Sequence, residues 1–225
     1  MKRFWLILAA MLGLAASAVP ASADVVYTFN CSGSAANCGA GNNNFNFGTV
    51  TLSTPVANSV HVVVQLASGY RFGGSNNDDA FYWNAPTFAM NNNQNITNLT
   101  GTFDSTGVQN NGTRNAGSYF NTGGFDYFVE RDNSGGSPTS LSFDVTRTGG
   151  LTLTNFAETN GDNAGVFYFA AQIRTTVNNS SLFWVASNKA GVNIPEPGTM
   201  TLSIAALGSL MGLVMLQRRR KLARA

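Results

Sequence analysis

The chain has 225 residues, of which 11% are charged, and a formal net charge of +2 at pH 7. The charge is unevenly placed. Residues 24–195 contain ten acidic and six basic side chains, a formal charge of −4, and all of the remaining lysines and arginines lie at the two ends. Such a region has no basic surface to displace counterions from phosphates, which excludes nucleic acid as a partner. Its length suits one domain with its own core.

The N-terminus has the parts of a secretory signal peptide. Lys2 and Arg3 precede an apolar stretch over residues 4–18, and the sequence Ala21-Ser22-Ala23 has small residues where an A-x-A cleavage site needs them. We therefore predict that residues 1–23 are a signal peptide, cleaved after Ala23, and that the rest of the chain is exported. An uncleaved N-terminal anchor is the alternative.

The two cysteines, Cys31 and Cys38, are expected to form a disulfide, because the chain is directed to an oxidising compartment. On the chain-entropy model, closing so short a loop stabilises the fold by about 2–2.5 kcal/mol. Free thiols are the alternative. A metal site at the two cysteines would lack further ligands, so we predict none there.

Short segments in which apolar and polar residues alternate predict half-buried strands in the exported region. These segments are residues 50–52, 60–66, 125–129, 141–145 and 151–153. Residues 166–173 are apolar almost throughout, which predicts a strand covered on both faces. Asparagine clusters and glycine pairs between the segments predict turns. About eight to ten such strands predict an all-β fold, an antiparallel, jelly-roll-like β-sandwich over residues 24–193.

Aromatic residues after one of the asparagine-rich loops provide a candidate binding surface. Tyr82 and Trp83, in the tripeptide Phe81-Tyr82-Trp83, are candidate carbohydrate contacts, because their rings can stack on a sugar while asparagine amides bond its hydroxyls. The alternative is that the same residues belong to the core of the sandwich and its edge.

The sequence has none of the common catalytic or phosphate-binding motifs, and we predict no enzyme activity and no cofactor. The single histidine, His61, is expected on the polar face of a strand as a solvated surface residue rather than a catalytic base. Serine, histidine and aspartate are all present, but the sequence alone does not assemble them into a triad.

Carboxylates leave an enzyme alternative open, a secreted glycan-active enzyme that uses two acids. The available acids are Asp78, Asp79, Glu130, Asp144 and Glu158. Residues 76–79 and 158–163 also hold the hard oxygen ligands that calcium prefers. Neither loop has the spacing of an EF-hand, so plain polar turns are expected there.

The C-terminus combines three features in a fixed order over residues 194–225. The tripeptide Pro195-Glu196-Pro197 precedes a mostly apolar run, residues 199–216, and a basic cluster ends the chain. As a helix the run is about 27 Å long, close to the ~30 Å hydrocarbon core of a bilayer, so it is predicted to span a membrane. The cluster holds the C-terminus in the cytoplasm and places the rest of the chain outside. It consists of Arg218, Arg219, Arg220 and Lys221, followed by Arg224.

These three features resemble the PEP-CTERM sorting signal of exopolysaccharide-producing Gram-negative bacteria. The resemblance implies a membrane partner, an exosortase-type processing enzyme, that recognises Pro195, Glu196 and Pro197 and processes the anchor formed by the helix and the basic stop. The two prolines favour an extended backbone that presents Glu196 at the membrane face. An ordinary linker before a plain tail anchor is the alternative.

The sequence therefore predicts an exported protein of the cell envelope, cell surface or exopolysaccharide matrix, anchored by its C-terminal helix before processing. Its passenger domain is expected to be non-catalytic, with a structural or carbohydrate-interaction role and exopolysaccharide as a candidate partner. The alternatives are a secreted glycan-active enzyme and a plain tail-anchored periplasmic β-domain.

Overall fold

The computed structural model describes residues 23–33, 45–73, 79–84, 96–108, 114–116, 120–131, 136–147, 150–157, 159, 167–177 and 182–194. The predictions for Ala21, for Cys38 and for the whole of the sorting signal from Pro195 onward concern residues outside these ranges. By its contacts the chain divides into residues 24–193 and a second unit, residues 1–23 with 194–225. The fold described below is that of the first unit.

The described residues form short strands joined by turns. Helix is confined there to a 3-10 turn, Leu153–Phe156. Within the described ranges no helix has the length and apolar character needed to cross a membrane. The strands are β1 (Asp24–Thr28), β2 (Cys31–Ser32), β3 (Gly48–Ser53), β4 (Ser59–Leu66), β5 (Tyr70–Phe72), β6 (Asp79–Trp83), β7 (Ile96–Thr97), β8 (Phe103–Val108), β9 (Arg114–Ala116), β10 (Phe120–Phe125), β11 (Tyr127–Arg131), β12 (Ser140–Thr146), β13 (Phe169–Thr175), β14 (Leu182–Ser187) and β15 (Val192–Ile194).

Two antiparallel sheets contain most of these strands. The first sheet has the order β15-β1-β3-β4-β12-β7, and the second has the order β2-β14-β13-β6-β11-β8 with β5 paired to β13. Strands β9 and β10 pair separately. The predicted all-β, antiparallel fold is confirmed, and the jelly-roll-like connection stays a prediction.

Alternation fixes which residues of the first sheet face the core. Along β3, β4 and β12 every second side chain is buried, and the register places Val50 opposite Val64 and Val62 opposite Phe143. Because strand side chains alternate between faces, this register gathers the apolar set on one side and the polar set on the other. The strands predicted over residues 50–52, 60–66 and 141–145 are confirmed.

The core lies between the two sheets, which makes the arrangement a sandwich. Tyr27 of the first sheet contacts Phe169 of the second, with ring centroids 4.8 Å apart, and Trp83 contacts Phe143 across the same interface at 5.1 Å. Edge-to-face and offset contacts of this kind add to the stabilisation that burial alone provides. These ring contacts join residues far apart in the chain.

Strand β13 is covered on both faces, as its continuous apolar sequence predicts. Phe169 and Ile173 face the main core, whereas Ala170 lies in a second buried cluster on the opposite face of the sheet with Tyr82 and Phe128. The strand begins at Phe169, later than the start of the predicted segment, residues 166–173.

Two of the predicted strands are wrong in detail. Residues 125–129 do not form one strand, because the chain bends at Asp126, whose backbone N–H donates to Asn84 Oδ1 over 3.1 Å. Residues 151–153 are not a strand. The N–H of Thr152 donates to Asn155 Oδ1 over 2.8 Å at the start of the 3-10 turn. Threonine and asparagine offer the backbone such local partners in place of a ladder.

Candidate functional site

A cavity of about 350 Å³ opens beside β1, the 3-10 turn and the segment that joins β14 to β15. Tyr27 and Tyr168 line it together with the aliphatic side chains of Val25 and Leu153, and Thr154 and Asn193 add polar groups. Pockets of this size and mixed lining are typical of small-ligand sites.

Strand β1 places the buried phenol of the cavity. The register that pairs Val25 with Leu52 and Tyr27 with Val50 turns both β1 side chains toward the inner face. Tyr27 is only 3% exposed, and its ring centroid lies 5.2 Å from that of Tyr168. The backbone N–H of Tyr168 donates to the carbonyl oxygen of Ser187 over 2.9 Å, which fixes this residue just before β13.

The cavity is uncharged. Burial, with a smaller contribution from the neighbouring Tyr168, raises the pKa of Tyr27 to about 12. Its phenol therefore keeps its proton at physiological pH. None of the side chains that line the cavity is acidic or basic. It can accordingly offer a ligand hydrogen bonds and the ring of Tyr168, but no counter-charge.

Alkaline pH is expected to destabilise the fold through Tyr27. Its folded-state pKa of about 12 lies above the ordinary value of 10.0, so between these values the folded chain holds a proton that the unfolded chain releases. The stability this group contributes is complete below pH 10 and is lost as pH rises toward 12. Urea midpoints of the wild type should fall more steeply over this interval than those of Tyr27→Phe. Equal slopes would contradict the burial of this phenol.

An asparagine pair holds the segment that closes one side of the cavity. Asn30 Nδ2 donates to Asn188 Oδ1 over 2.6 Å, and the backbone N–H of Asn188 donates to Asn30 Oδ1 over 3.2 Å. Gly191 follows, and a Cβ added there would lie 2.7 Å from Tyr27 Cε2 and would also meet Val25. The segment therefore approaches the tyrosine ring so closely that a side chain at position 191 would enter the cavity.

A second polar cluster lies on the outer face of the first sheet. His61 Nδ1 and Asp144 Oδ1 are 2.5 Å apart across β4 and β12, and Asn98 Nδ2 donates to Asp144 Oδ2 over 2.5 Å. His61 lies on the polar face, as predicted, with its side chain 34% exposed, but the sequence did not reveal its carboxylate partner.

The same outer face places Ser53 opposite His61, so that serine, histidine and aspartate share one cross-strand row. Nucleophilic catalysis by a serine requires that its hydroxyl bond to the imidazole. Within the described part of the chain no hydrogen bond joins Ser53 to His61, and neither residue lines the cavity. The row is thus a polar surface network without the geometry of a triad.

Of the described acids of the enzyme alternative, two are register partners and the third lies on the other sheet. The β6–β11 register places Asp79 opposite Glu130 on the second sheet, away from Asp144 on the first. Asp78 and Glu158 lie outside the described residues. Within those residues no group of three His, Cys, Asp or Glu side chains is arranged to hold a metal ion.

Arginines gather on the same sheet as Glu130. Arg71 and Arg174 are register partners on β5 and β13, and burial, followed by repulsion from Arg174 and Arg71, lowers the pKa of Arg131. Arg131 Nη2 also donates to the carbonyl oxygen of Gly136 over 3.1 Å. All three arginine residues also take part in further interactions.

Tyr82 and Trp83, the sequence-predicted carbohydrate contacts, are both buried. Tyr82 is 2% exposed and packs against Phe125 and Trp184, and Trp83 is fully buried against Phe143. Their positions match the alternative prediction, that these residues belong to the core, and neither presents a ring face to solvent. Any carbohydrate contact must therefore use other residues.

Cys31 is fully buried on β2, and its Sγ lies 3.4 Å from the carbonyl oxygen of Ala186 on β14. Its predicted partner, Cys38, lies outside the described residues, so the disulfide stays a prediction.

Sequence reasoning missed the two tyrosines of the cavity. Residues 24–28 have the β-branched and aromatic character of a strand, and this pattern could have identified β1 and Tyr27. The contact between Tyr27 and Tyr168 is long-range, and no local sequence pattern predicts it. Comparisons of this chain with family models, with curated proteins and with solved structures find no match.

Proposed function

We propose that this chain is an exported protein of the cell surface or exopolysaccharide matrix of a Gram-negative bacterium. A C-terminal PEP-CTERM signal sorts it, and an exosortase-type membrane enzyme is its processing partner. Its passenger is a non-catalytic β-sandwich, of jelly-roll-like type, that contacts carbohydrate or acts as a structural unit. The chain is held by its C-terminal helix until processing releases it from the membrane.

One observation carries this proposal: the two predicted export signals directly adjoin the strands of the sandwich. The predicted signal peptide ends at Ala23 and β1 begins at Asp24, while β15 ends at Ile194 and Pro195 follows at once.

The passenger half of the proposal rests on the surface chemistry of the sandwich. The outer face of the first sheet presents hydroxyl and amide side chains, such as Thr49, Thr51, Ser142 and Gln65, rather than clustered charge. Hydroxyl and amide groups both donate and accept hydrogen bonds, which suits contact with neutral polysaccharide hydroxyls. The row of Ser53, His61 and Asp144 lacks a serine–histidine bond, which favours a non-catalytic role.

Replacement of Glu196 by alanine is expected to abolish processing while leaving export intact. Wild type should be recovered in the surface or extracellular fraction without residues 1–23 and without its tail. Glu196→Ala should be recovered in the membrane fraction without residues 1–23 but with the tail, because the enzyme has lost its one charged contact in the tripeptide. Cell fractionation combined with intact mass is the measurement.

Thr199→Ala, a change just beyond the tripeptide, serves as the matched control and should be processed like wild type. An uncut, membrane-held chain in all three strains would overturn the sorting proposal and leave a tail-anchored periplasmic β-domain. Turnover of a glycan by the wild type that is lost in Glu130→Gln would instead favour the glycan-active enzyme.

A further inference from the structure

We propose that the cavity between Tyr27, Tyr168 and Leu153 is a binding site for a single neutral sugar ring of a polysaccharide. This inference deepens the carbohydrate-interaction part of the proposed function and rests on it. It does not depend on the sorting signal. It also moves the contact from Tyr82 and Trp83, which are buried, to partly exposed residues of a cavity, Tyr168 and Leu153.

The size of the cavity favours one ring over an extended chain. Its volume of about 350 Å³ lies near the lower end of the range of ligand pockets, roughly 300–1,000 Å³. Thr154 and Asn193 are exposed at its margin, so the cavity opens to solvent. A chain end or a side branch of a polysaccharide can therefore enter while the rest of the polymer stays outside.

The charge of the cavity favours a neutral ligand. Its lining contains no ionised side chain, and the Tyr27 phenol stays protonated because burial raises its pKa to about 12. A carboxylate or ammonium group would lose hydration on entry without gaining a partner of opposite charge, which is costly. Uronic acids and amino sugars are thereby disfavoured relative to uncharged hexoses.

The mixed lining favours a sugar over a wholly apolar molecule. The ring of Tyr168 and the aliphatic side chains of Val25 and Leu153, which are all partly exposed, suit the C–H faces of a pyranose, and the buried Tyr27 supports them from below. The Tyr168 phenol, the Thr154 hydroxyl and the Asn193 amide supply donors and acceptors for its hydroxyls. An apolar ligand would cover these polar groups without replacing the hydrogen bonds they make to water, at a cost in free energy.

The wall beside Tyr27 is fixed before a ligand arrives. The two hydrogen bonds between Asn30 and Asn188 hold the start of the closing segment, and Gly191 lies directly against the ring. Pre-organisation reduces the entropy lost on binding. It also provides a test, because a methyl group at position 191 would enter the cavity and displace Val25 or Tyr27.

The test uses saturation-transfer NMR titrations of the full chain in a sugar-free detergent. The probes are the methyl glycosides of glucose, galactose and mannose, with a methyl glucuronide as charged probe and cyclohexanol as a ring of equal size with one hydroxyl. At least one neutral methyl glycoside should bind saturably, and the other two probes should bind more weakly. Binding should be about tenfold weaker or worse in Tyr168→Ala and in Gly191→Ala.

Phe45→Ala is the matched control, because Phe45 is an aromatic side chain, 53% exposed, that does not line this cavity. Its binding should match that of wild type. If Tyr168→Ala fails to fold by circular dichroism, Asn193→Ala on exposed β15 takes its place and should also weaken binding.

Three results would overturn the site: no neutral glycoside binds, cyclohexanol or the glucuronide binds as tightly, or the cavity variants bind like wild type. Any of them, combined with normal processing of the wild type and failed processing of Glu196→Ala, would leave a sorted protein with a structural passenger. Sugar binding without processing would uphold the site and overturn the sorting.

Discussion

Replacing Trp83 by alanine is expected to destabilise the protein by about 3–5 kcal/mol, a large part of the stability of a typical domain. Trp83 is fully buried between the sheets, with ring centroids 5.5 Å from Tyr127 and 5.1 Å from Phe143. Its removal deletes contacts within the second sheet and across to the first, and leaves a cavity that the surrounding strands cannot fill.

Equilibrium urea denaturation measures this loss as a lower midpoint at unchanged slope. Trp83→Phe is the matched control and should lose less than half as much, because Trp83 Nε1 has no hydrogen-bond partner among the described residues. Val177→Ala, at a side chain that is 85% exposed, should change stability by no more than about 0.5 kcal/mol. A Trp83→Ala protein as stable as Val177→Ala would contradict the buried position of this residue.

Gly48→Ala is expected to destabilise the protein by about 2–4 kcal/mol, since it combines an unfavourable backbone conformation with a backbone clash. Gly48 has a φ of 144°, and a Cβ there would lie 2.8 Å from Leu66 Cα and would also meet the carbonyl oxygen of Gln65. Both atoms belong to the backbone of β4, so the clash is relieved only if β3 and β4 separate. This pair forms the centre of the first sheet.

Gly69→Ala separates the cost of the backbone conformation from the cost of the backbone clash. Gly69 also has a positive φ, 91°, but a Cβ there would have no neighbour within 4 Å. Its substitution should therefore cost only the conformational part, about 1 kcal/mol. Urea midpoints for the two variants give the difference directly. Equal losses would contradict the close approach of β3 to β4 at Gly48.

Local pattern was sufficient where a strand has one buried face. The alternation in β3, β4 and β12 fixed both the strands and the faces they bury, because a period of two leaves only one register that hides the apolar set. The continuous apolar sequence of β13 likewise indicated burial on both faces. These features are encoded within a few neighbouring residues.

The two errors in strand prediction arise where side-chain hydrogen bonds compete with the backbone hydrogen bonds between strands. The alternation of residues 151–153 resembles a strand, but Thr152 and Asn155 bond to each other at the start of the 3-10 turn. In residues 125–129 the amide of Asn84, distant in the chain, takes the N–H of Asp126 and ends the strand. Hydrophobic periodicity carries no information about hydrogen bonds of either kind.

The candidate site depended on contacts that no local pattern shows. Aromatic character drew attention to Tyr82 and Trp83, but aromatic residues are also the largest contributors to a core, and here they are buried. Tyr27 and Tyr168 lie at opposite ends of the passenger sequence and meet only through the packing of the two sheets. The carboxylate partner of His61 likewise came from a cross-strand register that the sequence did not specify.

The intact mass of the mature protein, recovered from its own host, would decide whether the chain is exported and processed. We predict a surface or released form that begins at Asp24 and has lost the apolar run over 199–216 and the basic cluster after it. A chain that retains Arg218 to Lys221, found only in the membrane, would contradict the claim that this β-sandwich is exported and then released through its C-terminal signal.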